Sequence, residues 1–476
     1  MGKHVLSKST YIRGLQCQKS LYLNKHRPFL RDKLSPEQLA RFRRGTNVGV
    51  LARELFPGGV DMSPKSPSQY QSKVIDTLNA LQNPLVNVIY EAVFQHDDVL
   101  VMLDILVRNN THWQAYEVKS SLALSATYYA DAALQYYVIA GAGVELDDFS
   151  MIYVNRDYIF QDKLDLEKLF VHQSVLSTVK EKLAETQKQI EVSKQTLMLK
   201  NAPDVSIGTH CNLPYPCDFQ GLCWKKVESN SILSLTAFEE EDLFNWFHKK
   251  IQTESLKANT HAPVQLNQLE ALILNLPVYD KEGLCIAMNK LHETKLLFMD
   301  IIFVKPAIPV INGCRPYQPL PLTMSVVFEN NESQVLFFEP TMTDVQLFID
   351  KLDCLLGNNQ LFMLFNKRDL IDFFNKWQTS FDEKYAKKIF KIAENTIDLL
   401  SILESVHFFF PGMGRNPDII TLFKYCIDTS AYLPDRHWIA GQIADKTDSK
   451  EKALFSSQIG SFALRLKELF LYFSKN

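Results

Sequence analysis

The clearest hydrophobic pattern in the chain is the apolar run from Val99 to Val107, whose β-branched and aliphatic residues predict a strand. Asn109-Asn110 predicts a turn, and Trp113 to Val118 predicts a second strand that returns alongside the first. The two segments together predict a β-hairpin. Acidic side chains interrupt both of its strands, at Asp104 and at Glu117.

Helical periodicity dominates on either side of this hairpin. Apolar residues on one face predict a helix from Pro36 to Leu55, interrupted around its two glycines. The Ala-, Leu- and Tyr-rich stretch from Ala126 to Gly141 predicts another helix. A strand at Phe149–Val154 and a mostly helical arm over residues 162–200 follow it.

A second β-rich region begins near residue 290 and is followed mainly by helices, which predicts a further mixed α/β domain. At 476 residues the chain is longer than one hydrophobic core usually supports, so two or three domains are expected. We divide it into residues 1–225, a helical connector at 226–290, and residues 291–476. The strands predicted in the last segment are Leu296–Val304, Leu322–Phe328 and Gln334–Phe338.

Charge changes this picture mainly at the N-terminus. The formal net charge is -3, yet residues 1–44 contain eleven Lys and Arg against two acids. Such a segment is typical of a surface that follows a phosphate backbone, and equally of a solvated helix face. No apolar run reaches the length of a membrane span, and no apolar signal core follows the basic N-terminus. We therefore expect a cytoplasmic protein without a membrane partner.

The acids of the hairpin are the first candidates for chemistry. Period-two alternation puts Glu117 and Lys119 on one face, and hairpin pairing brings Asp104 close to Glu117. A carboxylate inside an apolar strand is costly to bury unless it is paired or holds a metal. Oxygen ligands of this kind suit Mg²⁺ or Mn²⁺, with Glu91 as a further ligand and Gln135 positioning water or phosphate. The alternative is an ordinary surface pair at a strand end.

Cysteines supply a second candidate site. The eight in the chain are too few for a secreted disulfide scaffold, which draws attention to metal ligation. Cys211, Cys217 and Cys223 are equally spaced in a Pro- and Gly-rich stretch, and Cys17 lies near the N-terminus. Equal spacing is unlike the paired ligands of a zinc ribbon, although four cysteines can hold zinc as well as an iron-sulfur cluster.

The order of these polar residues resembles a known nuclease family. Glu91, Asp104, Glu117-Val-Lys119-Ser-Ser and Gln135-Tyr-Tyr137, on two strands and then a helix, resemble the PD-(D/E)XK nuclease core. More closely, most of residues 1–225 resemble bacterial RecB-like nucleases related to the CRISPR-associated iron-sulfur exonucleases. The stretches that carry this closer resemblance are Leu55-Phe-Pro-Gly-Gly-Val60, Ile89-Tyr-Glu-Ala-Val-Phe94 and Gln135-Tyr-Tyr-Val-Ile-Ala-Gly-Ala-Gly143.

The resemblance implies a restriction-endonuclease-like α/β core with a helical iron-sulfur subdomain. It implies a phosphodiesterase that uses Mg²⁺ or Mn²⁺ to cleave DNA, acting as an exonuclease on single strands or ends in repair, recombination or defence. It favours a [4Fe-4S] cluster, mainly structural, on Cys17, Cys211, Cys217 and Cys223. The chain departs from the family where relatives often carry a metal-binding histidine, because Thr46 and Asn47 stand in the matching stretch.

The last segment, 291–476, resembles the RNase H-like, DnaQ-type domain fused to these nucleases. That domain binds two metals through four acids, of which Asp300 and Asp398 match in this chain, and Asn366 marks the second motif. Ile302 and Leu370 stand where two further acids are expected. Since two metals need several carboxylates to offset their charge, we predict that this exonuclease site is vestigial and inactive.

Three functions remain open from the sequence. The first is the metal-dependent DNA nuclease. The second is a nucleic-acid-binding protein that retains the nuclease fold without catalysis, which Thr46, Asn47 and the lost acids of the last segment favour. The third is an interaction scaffold, and the basic first segment argues against it.

Overall fold

A computed structural model of the chain describes residues 4–475 apart from 329, 358–359, 416, 431–432 and 445–448. The chain divides into two units, Met1–Lys226 and Val227–Asn476. Both combine a mixed sheet with helices, so the α/β class predicted from the sequence is confirmed. No described helix is both long and apolar enough to cross a membrane.

A seven-stranded sheet organises the first unit, with strands in the order β2-β3-β4-β5-β6-β7 and the short β1 paired with β4. The β3–β4 and β4–β5 pairs are antiparallel, which confirms the predicted hairpin, while β5 and β6 are parallel. The strands are β1 (Leu6–Ser7), β2 (Val60–Asp61), β3 (Val88–His96), β4 (Val99–Asn109), β5 (His112–Lys119), β6 (Leu146–Val154) and β7 (Phe170–Ser174).

Helices cover both faces of this sheet, which explains why β4 is apolar at nearly every position. Alternate residues of β3 illustrate the division, since Phe94 packs in the cluster that includes Leu134, whereas Val93 packs with Val74. The helices of the first unit are α1 (Lys8–Gln16), α2 (Gln18–His26), α3 (Pro36–Ala52), α4 (Tyr70–Gln82), α5 (Ala126–Gly141), α6 (Leu166–Leu169), α7 (Leu176–Glu181), α8 (Leu183–Met198) and α9 (Gln220–Cys223).

One local expectation needs correction. The helix from Pro36 continues through Gly45 and Gly49 without interruption, and its last predicted turn is a 3-10 helix at Arg53–Leu55. The arm over residues 162–200 is mostly helical, as predicted, and its strand β7 pairs with β6 at the sheet edge. By contrast, α5 has the bounds predicted for it.

The second unit has a five-stranded sheet in the order β10-β9-β8-β11-β12. Its first three strands pair antiparallel, whereas β8, β11 and β12 run parallel. The predicted strands near residues 296, 322 and 334 are confirmed as β8, β9 and β10. The strands are β8 (Lys295–Val304), β9 (Leu320–Val327), β10 (Ser333–Phe337), β11 (Gln360–Leu364) and β12 (Thr396–Asp398).

Two apolar clusters form the core of the second unit, one around Phe462 and Leu466, the other around Phe348 and Trp377. The segment that precedes β8 packs within this unit through a smaller cluster that includes Phe409. The helices are α10 (Glu240–His248), α11 (Thr253–Ala258), α12 (Pro263–Leu274), α13 (Lys281–His292), α14 (Met342–Leu356), α15 (Arg368–Trp377), α16 (Glu383–Glu394), α17 (Leu399–Ser405), α18 (Ile419–Cys426), α19 (Arg436–Ala444), α20 (Ser449–Ala453) and α21 (Ser456–Phe473).

Candidate active site

Three acidic residues singled out from the sequence lie in one row across β3, β4 and β5. Glu91 and Asp104 lie opposite each other, because the residue pairs on either side of them, Tyr90 with Ile105 and Ala92 with Leu103, are in the same register. The β4–β5 ladder ends one residue short of Asp104 and Glu117, which are the next pair in its register. Glu91 has a φ of 51°, a left-handed value that is rare outside glycine and often found at functional sites.

The end of the β4–β5 ladder opens the space in which the side chains meet. Beyond that point β5 continues to pair with β6 as far as Lys119, and the backbone N–H of Val118 donates to Asp104 Oδ2 at 2.7 Å. On the same strand, β1 pairs with the opposite end of β4. A gap in pairing along β4 therefore lies between β5 and β1, and the acid row occupies its edge.

Two lysines and a further aspartate complete the buried cluster. Lys119 Nζ lies 2.6 Å from Glu117 Oε1 and 2.6 Å from Asp131 Oδ2. Lys8 Nζ lies 2.8 Å from the same Glu117 oxygen and 3.8 Å from Asp131 Oδ2. The other oxygen of Glu117, Oε2, is buried and has no hydrogen-bond partner among the described residues. Gln135 Nε2 donates to Asp131 Oδ1 at 3.3 Å.

The two central carboxylates are electrostatically unlike. Burial, and then the neighbouring Glu117 carboxylate, raise the pKa of Asp104 from its ordinary 3.8 to about 8. Burial alone would raise the pKa of Glu117 as well, but Lys119 and Lys8 outweigh it and hold that pKa well below its usual range. Asp104 is therefore mainly protonated at neutral pH, whereas Glu117 is ionised. Paired carboxyl groups with pKa values pushed apart are a feature of catalytic sites.

Glu91 lies at the outer end of the row. Arg53 Nη2 contacts Glu91 Oε1 at 2.8 Å, and Arg53 Nη1 also reaches Asp61 at 3.0 Å. Burial raises the pKa of Glu91 in spite of this ion pair. Thr46 and Asn47 are both exposed on α3, and Thr46 Oγ1 donates to a backbone oxygen of its own helix.

The donor chemistry of the row fits a divalent cation of the Mg²⁺ or Mn²⁺ type. Asp104 and Glu117 offer oxygen ligands side by side, and the orphaned Oε2 of Glu117 is an acceptor that a cation would satisfy. Within the described residues, no three His, Cys, Asp or Glu side chains are already arranged around one point in the manner of a metal site. Glu91 joins such a set only by turning away from Arg53.

The four cysteines predicted as ligands line a single small cavity. Cys17 at the start of α2 meets the segment that carries Cys211, Cys217 and Cys223, and Gln16 Nε2 fastens that segment by donating to the backbone oxygen of His210 at 2.8 Å. Burial raises the pKa of Cys17 and that of Cys223. Four thiols are the ligand type of zinc and [4Fe-4S] sites alike, although no three of these cysteines, all of them described residues, are already arranged around one point in the manner of a metal site.

In the second unit, the three residues predicted as a vestigial site lie on the three parallel strands: Asp300 is within β8, Asn366 follows β11, and Asp398 ends β12. Each has a local structural partner. Asp300 pairs with Arg436, and Asn366 Oδ1 accepts from the backbone N–H of Arg368 at 2.9 Å. Asp398 caps α17 and also accepts from the backbone N–H of Lys367 at 3.2 Å.

Comparison with known proteins adds little to this geometry. Residues 297–415 match the model of a family described as a domain of unknown function (DUF2779). No curated protein matches the chain. A solved structure titled "Crystal structure of SSO0001" aligns with a TM-score of 0.24 and 10% sequence identity, covering 48% of this chain and 89% of that one. A likeness this weak carries no argument about function.

Sequence reasoning missed three members of the cluster, namely Lys8, Arg53 and Asp131. Asp131 is a buried acid in an otherwise apolar stretch of α5, one turn before Gln135, and that pattern was a usable signal. Lys8 gave no local signal, because its partner Glu117 lies 109 residues further along the chain. Arg53 is likewise brought to Glu91 only by the fold.

Proposed function

We propose that the first unit is a metal-dependent deoxyribonuclease with a PD-(D/E)XK-type site. The observation that carries the proposal is the row of Glu91, Asp104 and Glu117 beside Lys119. Buried or half-buried carboxylates placed side by side repel one another when ionised, so a fold keeps them together mainly where a cation or a reaction uses them. Their position beside the gap in strand pairing along β4 offers a place for a substrate to approach.

Each residue has a role in the proposed chemistry. Asp104 and Glu117 hold Mg²⁺ or Mn²⁺, with Glu91 as a third ligand. A divalent cation supplies Lewis-acid chemistry at a phosphodiester. Lys119, fixed by Asp131, keeps a positive charge at the row where negative charge grows on the phosphate. Gln135 is anchored on Asp131 and leaves its buried Oε1 without a described partner, so it can accept from a water molecule.

Basic and aromatic residues support DNA as the substrate. Helix α3 carries Arg41, Arg43 and Arg44, and Phe42 on the same helix is 57% exposed. Arg41 lies over the ring of Tyr215, which belongs to the cysteine-bearing segment. Guanidinium groups beside exposed rings suit phosphates and unstacked bases, which favours single strands or duplex ends. We therefore propose an exonuclease acting in repair, recombination or defence.

We further propose that Cys17, Cys211, Cys217 and Cys223 hold a structural [4Fe-4S] cluster, and that the second unit is an RNase H-like domain without catalysis. The pairing of Asp300 with Arg436 supports the second proposal, because a guanidinium then neutralises the carboxylate that a metal would need. The capping role of Asp398 supports it as well.

The test compares wild type with Asp104→Asn and Glu117→Gln on end-labelled single-stranded and duplex DNA, with Mn²⁺, Mg²⁺ or EDTA. Glu54→Gln is the matched control, since Glu54 is an exposed acid of the same unit. We expect metal-dependent cleavage that both site variants lose, by at least about 100-fold, and that the control keeps. If wild type binds DNA without cleaving it under any of these conditions, the protein is a nucleic-acid-binding module and the nuclease proposal is wrong.

A further inference from the structure

The N-terminal strand and helix place Lys8 in the candidate active site with little freedom. The backbone N–H groups of Val5 and Leu6 donate to Asp98 O at 2.7 and 3.1 Å, and β1 pairs with the first residues of β4. Ser7 then caps α1 in a reciprocal capping box with Thr10. Lys8 is the first residue of that helix, so its backbone is held both by the sheet and by the cap.

Lys8 and Lys119 bind the same carboxylate oxygen but differ in their other contacts. Lys119 has a second close partner in Asp131, at 2.6 Å, whereas Lys8 lies 3.8 Å from that aspartate, beyond hydrogen-bonding distance. Among the described residues, Glu117 is thus the one carboxylate within hydrogen-bonding distance of Lys8. The Lys8 side chain is also the more open of the two, at 30% exposed against 14%.

Because of these differences, the two lysines should respond differently when Glu117 binds a cation. Lys119 stays in place because Asp131 retains it. A cation at Glu117 Oε2 offsets the negative charge that attracts Lys8, which has no other carboxylate within hydrogen-bonding distance among the described residues, so its ammonium group, partly open to solvent, becomes available beside the acid row. A lysine ammonium is a compact point charge that suits a phosphate oxygen.

We propose that Lys8 binds a phosphate of the nucleic-acid substrate next to the scissile bond. This inference rests on the proposed function, because it assumes that nucleic acid enters the acid row. If Lys8 has this role, the basic N-terminal segment is part of the active site, and α1 supplies a side chain that binds the substrate.

The test measures binding of a fluorescent single-stranded oligonucleotide by anisotropy over a range of salt concentrations, with Ca²⁺ as the divalent cation. Lys8→Met and Lys8→Gln remove the charge, Lys8→Arg keeps it, and Lys65→Met is the control at an exposed lysine. Losing one phosphate contact weakens binding and also reduces the slope of log Kd against log salt by about 0.7 for a single strand. We expect both effects, with Kd raised on the order of tenfold, in the two neutral variants alone.

A purely structural role for Lys8 predicts weaker binding with an unchanged salt slope, and that outcome overturns the proposal. Wild-type affinity and slope in the neutral variants overturn it too. Cleavage assays with Mn²⁺ separate the two hypotheses. Cleavage by wild type together with an unchanged slope in Lys8→Met refutes the role of Lys8 alone. A reduced slope in Lys8→Met, together with a wild type that never cleaves, refutes the nuclease and leaves the phosphate contact standing.

Discussion

Asp104 and Glu117 should respond in opposite ways when each is changed to its amide. The folded protein holds the Asp104 proton more tightly than the unfolded chain does, because the pKa of Asp104 rises from 3.8 to about 8 on folding. An acid shifted in this direction lowers stability as the pH rises from about 4 to 8. The lowered pKa of Glu117 has the opposite sign, so its charge stabilises the fold above its ordinary pKa and ceases to do so in acid.

The size of the Asp104 effect follows from the interval between the two pKa values. At ~1.4 kcal/mol for each pH unit, that interval lowers the free energy of unfolding by up to about 5 kcal/mol at pH 8. Asparagine removes this cost and still accepts the hydrogen bond from Val118 N. Asp104→Asn should therefore stabilise the first unit by a few kcal/mol at pH 8 and by almost nothing near pH 4. Glu117→Gln should destabilise it by about 3 kcal/mol, since two partly buried lysines lose a shared carboxylate.

The assay is urea denaturation in EDTA at pH 4.5, 6 and 8, with pulsed hydrogen exchange and mass spectrometry reading peptides from residues 99–119. Those peptides report the first unit even if the second unfolds separately. Glu54→Gln serves as the amide control. If Asp104→Asn is less stable than wild type at pH 8, or if its advantage does not shrink towards pH 4.5, the electrostatic description of the row is wrong. In a separate measurement without EDTA, adding Mn²⁺ should stabilise wild type and leave the stability of Asp104→Asn unchanged.

Two further predictions concern the cysteine cavity and the second unit. Cys223→Ser should lose bound iron, together with its visible absorbance, and should lower the melting temperature of the first unit. Cys354→Ser, which changes an exposed thiol of the second unit, should do neither. Elemental analysis and a melting scan check both variants. Asp300→Asn should leave nuclease activity unchanged and keep or raise the stability of the second unit at pH 7, by about 1 kcal/mol. Burial raises the pKa of Asp300 in spite of Arg436, so ionisation of Asp300 lowers the stability of the second unit as the pH rises. Loss of DNA cleavage in Asp300→Asn would show that the second site is active.

The sequence predicted the elements whose signals are local. The hairpin followed from an apolar run, a turn and a second run, and α5 was placed from Ala126 to Gly141 because its composition favours a helix throughout. The predicted interruption of α3 at its two glycines was wrong, because each glycine destabilises a helix by only about 1 kcal/mol, which the rest of the helix offsets. β7 was missed because it is a short strand at the sheet edge.

The candidate site was predictable only as far as its residues lie on neighbouring strands. Asp104 and Glu117 are joined by one hairpin, so their proximity follows from strand pairing. Lys119 lies on the same hairpin and was predicted beside Glu117, but Lys8 comes from elsewhere in the chain, and no periodicity reports its contact with Glu117. The opposite pKa shifts of the two acids could not be predicted either, because that of Asp104 depends mainly on its burial and that of Glu117 on both lysines.

The two units differ in how many carboxylates share one place, and this difference decides which of them is the better candidate for catalysis. Buried, unpartnered oxygens occur in both, on Glu117 and on Asp300, so an orphaned acceptor alone does not mark an active site. In the first unit four carboxylates are close enough to shift the pKa values of one another or of the lysines between them. In the second unit Asp300 faces one arginine, and β11 lies between its strand and that of Asp398. A site that gathers several carboxylates can supply enough oxygen ligands for a divalent cation, whereas a single carboxylate already paired with a guanidinium gains nothing by exchanging it.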